Sequence, residues 1–584
     1  MKKAGESTPK LMDALAAAAR QERERLQRVE NRPRHFVFGL DESVGGTDET
    51  GCLAVFRYVP EQVMRAAQYD EDGSVFRAGG QYLNGSAEPG PAGLEVFFPA
   101  EELEGRGVTP GQLFAAAADG LEYVMDTRDL AERLAGFLTE HQDAPNILVP
   151  DLAGKVEPRK WESGIDPGRL ADLNDSSQNP AVRRALSQRV TFIWGPPGTG
   201  KTRTLAALAA ALVRGGKRVL LAAMSNAAVD NLLDAVARQL GDGLGGVGVA
   251  RLGRTMDEKV RRFGRARYNY DEFGGRKCGY DWFIHVRKAD LVAATFTKLA
   301  SPGPEDPRML DAVLADEVSM ANVPNLAVAA CHAREALVLG GDPSQLPPVY
   351  PEDAAEPNEW FRDSVFDRAG IGDIDDPRVA FLDTQYRMQE EIGGLVSDSF
   401  YGGRLRSAAA PVPELPGFPA RVLFCDSGGA VEEAGGRAWV CSERRFNRVH
   451  AEAAARAVRR ALEADVAGED IGVIVPYNAQ VVCVRHAIDS ACRDFPRAAA
   501  RVRVSTIHSF QGAERRVIVV DFTDSNVEPG PLTADPRLVN VALSRARECL
   551  VMTGNGQYLT GDPRLGDRRA MFRRIIDRAE PFSP

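Results

Sequence analysis

Residues 194–202 read WGPPGTGKT, and within them Gly195–Thr202 fits the pattern G-x-x-x-x-G-K-[ST]. The run follows VTFIW, a short apolar stretch of strand character, and precedes TRTLAALAAALVRGG, whose composition predicts a helix. Strand, glycine-rich turn and helix in that order make a phosphate cradle. Backbone N–H groups and the helix N-terminus face the anion, Lys201 reaches the outer oxygens, and Thr202 offers a hydroxyl to Mg²⁺. Gly195, Pro196, Pro197, Gly198, Thr199, Gly200, Lys201 and Thr202 are therefore the candidate nucleotide-binding residues, and ATP with Mg²⁺ is the expected cofactor set.

Outward from this stretch the chain repeats one rhythm. The runs RVLLAAM, LVAAT, AVLADE and ALVLGGD alternate with helical stretches, as a parallel sheet requires, with ligands expected at the carboxyl ends of the strands. The rhythm returns after about residue 375 in VAFLD, RVLFCD, IGVIVPY, VRVSTIH, RVIVVDF and CLVMTG. Two successive α/β domains follow, at 171–355 and 356–584, and DRRAMFRRIIDRAE reads as a terminal helix. Ahead of them, 1–34 reads as a charged, Ala-rich helix. Residues 35–150 read as a β-rich accessory domain closing on a helical stretch at 110–141, and the Pro-bearing 151–170 reads as a linker.

A phosphate-transfer site also needs a carboxylate for the metal and a group that orients water. AVLADEVSM supplies Asp316 for the first and Glu317 for the second. LVLGGDPSQLPPV adds Gln345, FLDTQYRM adds Arg387, and NVALSRAR adds Arg545. The two arginines belong to the second α/β domain, from which they could stabilise charge on a transferring phosphoryl group across a cleft and so couple hydrolysis to movement.

Taken in order, these motifs resemble those of the superfamily 1 helicases, most closely subfamily B, the branch of the nonsense-mediated-decay and Okazaki-fragment-processing helicases. The resemblance spans about residues 171–556 and implies two tandem RecA-like P-loop domains. It implies that Gln178 of LNDSSQ reads adenine, that Tyr386 stacks on it, and that Glu514 of STIHSFQGAE meets the ribose. MSNAAVDNL, ATFTKLA, IGVIVPYNAQ and STIHSFQGAE resemble the strand-contacting motifs, implying Ser225, Asn226, Thr295, Asn478, Thr506 and His508 on a nucleic-acid face. Met320 stands in DEVSM where most of the branch has glutamine, and LNDSSQ has one residue more than the usual spacing.

The overall balance is acidic, with a net charge of −10, and this argues against a uniformly basic nucleic-acid binder without excluding a local basic track. One such track is 251–288, with 11 basic and 5 acidic residues interleaved with aromatics. It reads equally as a single-strand contact through Arg261, Arg262 and Arg265 or as a solvated loop. The eight cysteines form no CxxC, which points to a reducing compartment, and no apolar run is long enough to span a bilayer. Only 11 of 72 basic residues are lysine, the bias of a GC-rich genome. A cytoplasmic, bacterial protein is expected.

The resemblance thus implies an ATP-hydrolysing nucleic-acid translocase or helicase. It would run 5′ to 3′ on single strands, DNA or RNA, and at duplex junctions, with residues 1–150 open to a protein partner. The rival expectations are a nucleotide-switched nucleic-acid clamp and the motor subunit of a larger repair or defence complex.

Overall fold

A computed structural model describes residues 8–29, 34–38, 45–47, 51–56, 74–78, 81–90, 93–105, 107–109, 112–113, 121–125, 128–142, 148–168, 170, 172–241, 246–253, 286–300, 307–350, 357–433, 439–441, 444–510 and 512–583. The chain divides into two compact units. One holds Met1–Trp194, Lys201–Pro343 and Pro347–Phe381, and the other holds Gly195–Gly200, Ser344–Leu346 and Leu382–Pro584.

In the first unit, seven antiparallel strands come first: β1 (Arg34–Phe38), β2 (Gly45–Thr47), β3 (Gly51–Phe56), β4 (Ser74–Ala78), β5 (Gln81–Gly90), β6 (Gly93–Pro99) and β7 (Leu121–Met125). Their order is β1-β7-β4-β5-β6-β3-β2. The first half of β5 pairs with β4 and the second half with β6, so one long strand serves both halves of the sheet. No pairing joins β1 to β2 among the described residues. Within the stretch 110–141 that reads as helical, Leu121–Met125 instead forms β7, and among the described residues Arg128–Glu140 is its long helix.

That helix packs against Thr8–Val29, and the pair closes on the core of the following sheet. Leu11, Met12, Leu15, Leu134, Phe137 and Leu138 share one apolar cluster with Leu326, Val328 and Ala330 of the helix Val323–Cys331. Asn358 Nδ2 donates to the carbonyl of Ala18 at 2.8 Å and pins the first helix there.

The α/β sheet of this unit is wholly parallel. Its strands are β8 (Val190–Trp194), β9 (Val219–Ala223), β10 (Val249–Arg251), β11 (Leu291–Thr295), β12 (Leu310–Ala315), β13 (Ala333–Gly341) and β14 (Val379–Phe381), ordered β10-β11-β9-β12-β13-β8-β14. β8, β9 and β11 are buried at every residue, as continuous Val/Ile/Leu/Ala runs in a parallel sheet covered on both faces should be.

Two expected boundaries move. β14 pairs with β8, Val379 opposite Phe192, so the first sheet extends to Phe381 rather than ending at 355. The reason is aromatic packing: Phe366 lies 5.5 Å from Phe192 and 6.2 Å from Trp194, and Phe381 lies 6.1 Å from Trp194. Nor is 151–170 a bare linker. Leu148, Val149 and Leu152 are fully buried in the same core, and Trp161 is 5% exposed. The backbone at 159–161 runs beside 187–189, the Trp161 amide donating to Ser187 and the Arg189 amide to Arg159, each at 2.8 Å.

The second unit carries two short parallel strands, β15 (Thr384–Gln385) and β16 (Arg406–Ser407), and a second parallel sheet. In that sheet β17 (Val422–Asp426) precedes a small hairpin, β18 (Trp439–Cys441) and β19 (Arg444–Phe446). β20 (Ile471–Val475), β21 (Arg503–Thr506), β22 (Arg515–Asp521), β23 (Ala546–Gly554) and β24 (Glu580–Pro581) complete it, in the order β21-β20-β22-β23-β17-β24. Its core takes Val473, Val475, Val517, Val519 and Val551 with the Ala-rich face of the helix Arg448–Glu463. A helix does close the chain, at Arg568–Asp577.

Candidate nucleotide site

In the first unit the functional side chains stand just past the carboxyl ends of neighbouring parallel strands. The helix Lys201–Arg214 begins at Lys201, and its Ala/Leu run Leu205–Val213 is buried all round, so its N-terminus is held rigidly. Asp316 and Glu317 follow β12. Thr202 Oγ1 donates to Asp316 Oδ2 at 2.8 Å, and Lys201 Nζ lies 3.1 Å from Asp316 Oδ1 and 3.3 Å from Glu317 Oε2. Burial pulls the Lys201 ammonium toward the neutral form. The carboxylates of Asp316 and Glu317, with Asp342 beyond, outweigh it and hold the lysine above its ordinary value, so it stays charged.

Glu317 sits in the left-handed region at φ +55°, an uncommon conformation for a residue with a Cβ, while its side chain remains 41% exposed. The Glu317 amide donates to Asp316 Oδ1 at 2.8 Å, which fixes the turn that presents the two carboxylates together. Trp194, last residue of β8, donates from Nε1 to Asp342 Oδ1 at 3.0 Å.

In the second unit the loop Gly195–Gly200 meets the turn after β15. Gly198 has φ +74°, and a Cβ placed there would lie 2.6 Å from the Arg387 Cβ, so only glycine serves. Its carbonyl accepts from the Tyr386 amide at 2.9 Å, and the Tyr386 ring is 46% exposed. Arg387 forms an ion pair with Glu514, and its Nη1 donates to the Ser544 carbonyl at 3.3 Å. Arg545 is 4% exposed, its Nε donating to the Val541 carbonyl at 3.0 Å and its Nη2 to Gln345 Oε1 at 3.4 Å.

Gln178, first residue of the helix Gln178–Ala185, is 3% exposed, and its Oε1 accepts from the Asn174 amide at 2.9 Å. Asn174 Oδ1 in turn accepts from the amides of Ser177 and Gln178, each at 2.9 Å. The extra residue of LNDSSQ is thus absorbed in a closed local turn.

Family models described as AAA domain match residues 172–270 and 361–557. The chain is 29% identical over 458 residues to the Arabidopsis thaliana DNA replication ATP-dependent helicase/nuclease JHS1, covering 73% of this chain and 32% of that protein. It is 28% identical over 522 residues to the Saccharomyces cerevisiae ATP-dependent helicase NAM7, covering 82% of this chain and 50% of that protein. The chain belongs to the superfamily 1 helicases, in their DNA2/NAM7-like branch.

It spans a third to a half of the length of those two superfamily 1 relatives. Both are eukaryotic, and they lend no support to the bacterial source expected from lysine usage. A solved arterivirus nonstructural protein 10 (helicase) is similar at TM-score 0.38 and 13% identity over 90% of this chain and 77% of that one, too low to bear on the assignment.

The residues that the helicase motifs nominate for strand contact divide by exposure. Asn478 is exposed and Ser225 and His508 are half-buried, whereas Asn226, Thr295 and Thr506 are buried. Ser225 Oγ and Thr295 Oγ1 cap helices, accepting from the amides of Ala228 at 3.2 Å and Lys298 at 3.3 Å. Asn226 Oδ1 accepts from Arg251 Nη2 at 2.8 Å. The Ser225 and Thr295 oxygens thus cap the helix starts after β9 and β11, and each hydroxyl still carries its own O–H donor. Residues 254–285, which hold Arg261, Arg262 and Arg265, lie outside the described residues.

Sequence reasoning also missed Asn540. It is fully buried, and its Nδ2 donates to both the Ser344 carbonyl and Tyr401 Oη, each at 2.7 Å. Its place three residues before the end of the helix Pro536–Leu543, in the motif that holds Arg545, was the available signal.

Proposed function

We propose that the chain is an ATP-hydrolysing nucleic-acid helicase that translocates 5′ to 3′ on single strands. The observation that carries this reading is the grouping of Lys201, Thr202, Asp316 and Glu317. A buried ammonium, a hydroxyl and two carboxylates within hydrogen-bond reach at a helix N-terminus are what phosphoryl transfer to water needs.

Bound ATP lays its phosphates on the amides of the loop and the helix start, and Lys201 exchanges its carboxylate partners for phosphate oxygens. Thr202 Oγ1 and Asp316 Oδ2 are hard oxygens suited to Mg²⁺, which when bound neutralises charge on those phosphate oxygens. Glu317, released from Lys201, accepts the proton of the attacking water as the bond from the γ-phosphorus to the bridging oxygen breaks and ADP departs. Arg387 and Arg545 supply positive charge to the transferring group, Gln345 orients from beside Arg545, and Tyr386, Gln178 and Glu514 hold the nucleoside.

Single strands would run over the helix starts after β9, β11 and β20 and the turn at Thr506–His508. Backbone contacts of that kind suit DNA and RNA alike. Strand-displacement assays with 5′-tailed and 3′-tailed duplexes test the proposal. Unwinding of the 5′-tailed substrate alone is expected. Hydrolysis without displacement of either would make the chain a nucleotide-switched clamp, and unwinding of the 3′-tailed substrate would refute the polarity.

A further inference from the structure

Two arginines in the second unit meet around one buried ring, and neither pairs with a carboxylate among the described residues. The Arg503 guanidinium carbon lies 5.1 Å from the centroid of Phe510, and that of Arg515 lies 5.9 Å from the same centroid. The sheet makes room for this. Gly472 of β20 stands in register with Arg503 of β21 and Ile518 of β22, and a Cβ on Gly472 would sit 2.3 Å from the Phe510 ring. Phe510 therefore fills the gap left by a missing side chain, and the arginines flank it.

Two half-buried guanidinium groups placed together repel one another and lose hydration, a cost normally offset by a carboxylate. None is paired with either arginine among the described residues. Arg503 donates to the Ser509 carbonyl and Arg515 Nη1 to the Glu514 carbonyl, while the Glu514 carboxylate is turned to Arg387. Arg515 Nε and, on the face of β21 that carries Arg503, Ser505 Oγ are both buried and have no hydrogen-bond partner among the described residues. Burial first, and the neighbouring Arg515 second, push the Arg503 guanidinium below its ordinary value, the mark of a cation that lacks an anion. Stacking on Phe510 compensates in part, since the ring face attracts a cation, but it leaves N–H groups unanswered.

We propose that Arg503 and Arg515 form an anion site that takes a phosphoryl group, with Ser505 as an additional donor. The source that best matches is the backbone of a bound strand. Ser509, whose carbonyl holds Arg503, lies in the turn that carries Thr506 and His508, with Thr506 Oγ1 3.5 Å from Ser509 Oγ. A phosphate there would give each guanidinium the charge-assisted bonds that the protein does not supply. The inference rests on the strand-binding reading above and adds a phosphate position to it.

The test is strand affinity against salt for the full chain, using single-stranded oligonucleotides of both kinds without nucleotide, and in a separate arm a fluorescent ATP analogue without strand. Arg503→Ala/Arg515→Ala should bind strand more weakly, and the slope of log affinity against log salt should fall by about 0.7 for each phosphate that the variant no longer neutralises. Arg503→Lys/Arg515→Lys should recover most of the slope, which a merely structural role would not predict. Arg503→Glu, able to pair internally with Arg515, should fold at least as stably yet bind strand as weakly as the double alanine variant. Loss of the ATP analogue with strand binding intact would assign the site to the nucleotide and overturn the strand source. Wild-type strand binding with unchanged slopes in all variants would overturn the site while leaving the strand-binding reading in place. Failure of the wild type to bind strand would refute that reading and the strand source together.

Discussion

Lys201 Nζ stands 3.1 Å from Asp316 Oδ1, an ion pair between the cation proposed for phosphate and the carboxylate proposed for the metal. The pair is held at low exposure, 11% for the lysine side chain and 4% for the aspartate. On the proposed reading, ATP with its metal would take over both charged groups from this ion pair. Lys201→Ala should lower hydrolysis by about 10²–10³-fold, measured as steady-state phosphate release. Turnover within a few fold of wild type would contradict the assignment.

Glu317 is held at φ +55° with its carboxylate partly exposed, a geometry that suits a group facing water more than a structural anchor. Glu317→Gln keeps shape and removes the base. Hydrolysis should fall about 10²–10⁴-fold, while ATP affinity in equilibrium binding stays near that of wild type. Equal loss of binding would make Glu317 structural.

Arg545 is buried with Gln345, and Arg387 is buttressed by Glu514 and Ser544. Arg545→Ala should retain nucleotide binding and lose about 10³-fold in kcat, as arginines that stabilise a transferring phosphoryl do. A raised KM with unchanged kcat would show instead that it acts only in binding.

Gly198 cannot accept a side chain for two independent reasons, its positive φ and the Arg387 Cβ at 2.6 Å. Gly198→Ala should cost about 1–3 kcal/mol of local strain and disturb both the loop and Arg387. Loss of ATP binding and of hydrolysis together, with global thermal stability only slightly reduced, is the expected pattern.

His332 reports on the packing of the N-terminal helices. Its ring lies 5.6 Å from Phe137, and burial pushes its imidazole down to about 4. A value lowered by folding means that the neutral ring is preferred, so its stabilisation is complete above pH 6.5 and is lost as pH falls toward 4. The shift corresponds to at most about 3 kcal/mol. Tm should therefore drop from pH 7 to 4.5, and His332→Gln should show a shallower fall. Parallel curves would contradict this.

The strand, loop and helix around Gly195–Thr202 were legible in the sequence because such a run is written in consecutive order. The parallel sheets were legible for the same reason, as β8, β9 and β11 are unbroken apolar runs. β14 was not, since a three-residue strand looks the same beside either sheet, and Phe366 and Trp194, distant in sequence, decide where it pairs. The packing of 148–161 was hidden by its prolines, whose turn signal says nothing of burial. Helix capping was not written in the motifs: the Ser225 and Thr295 oxygens also accept from amides of the helices they begin. Arg503 and Arg515 carried no motif, and only the shared ring of Phe510 joins them.

The central claim, that nucleotide chemistry in this chain serves a nucleic-acid track, is tested most directly by steady-state ATPase activity without nucleic acid and with single-stranded DNA or RNA of equal length. The account predicts strong stimulation by at least one of them, abolished in Lys201→Ala. An ATPase rate indifferent to both strands would contradict it.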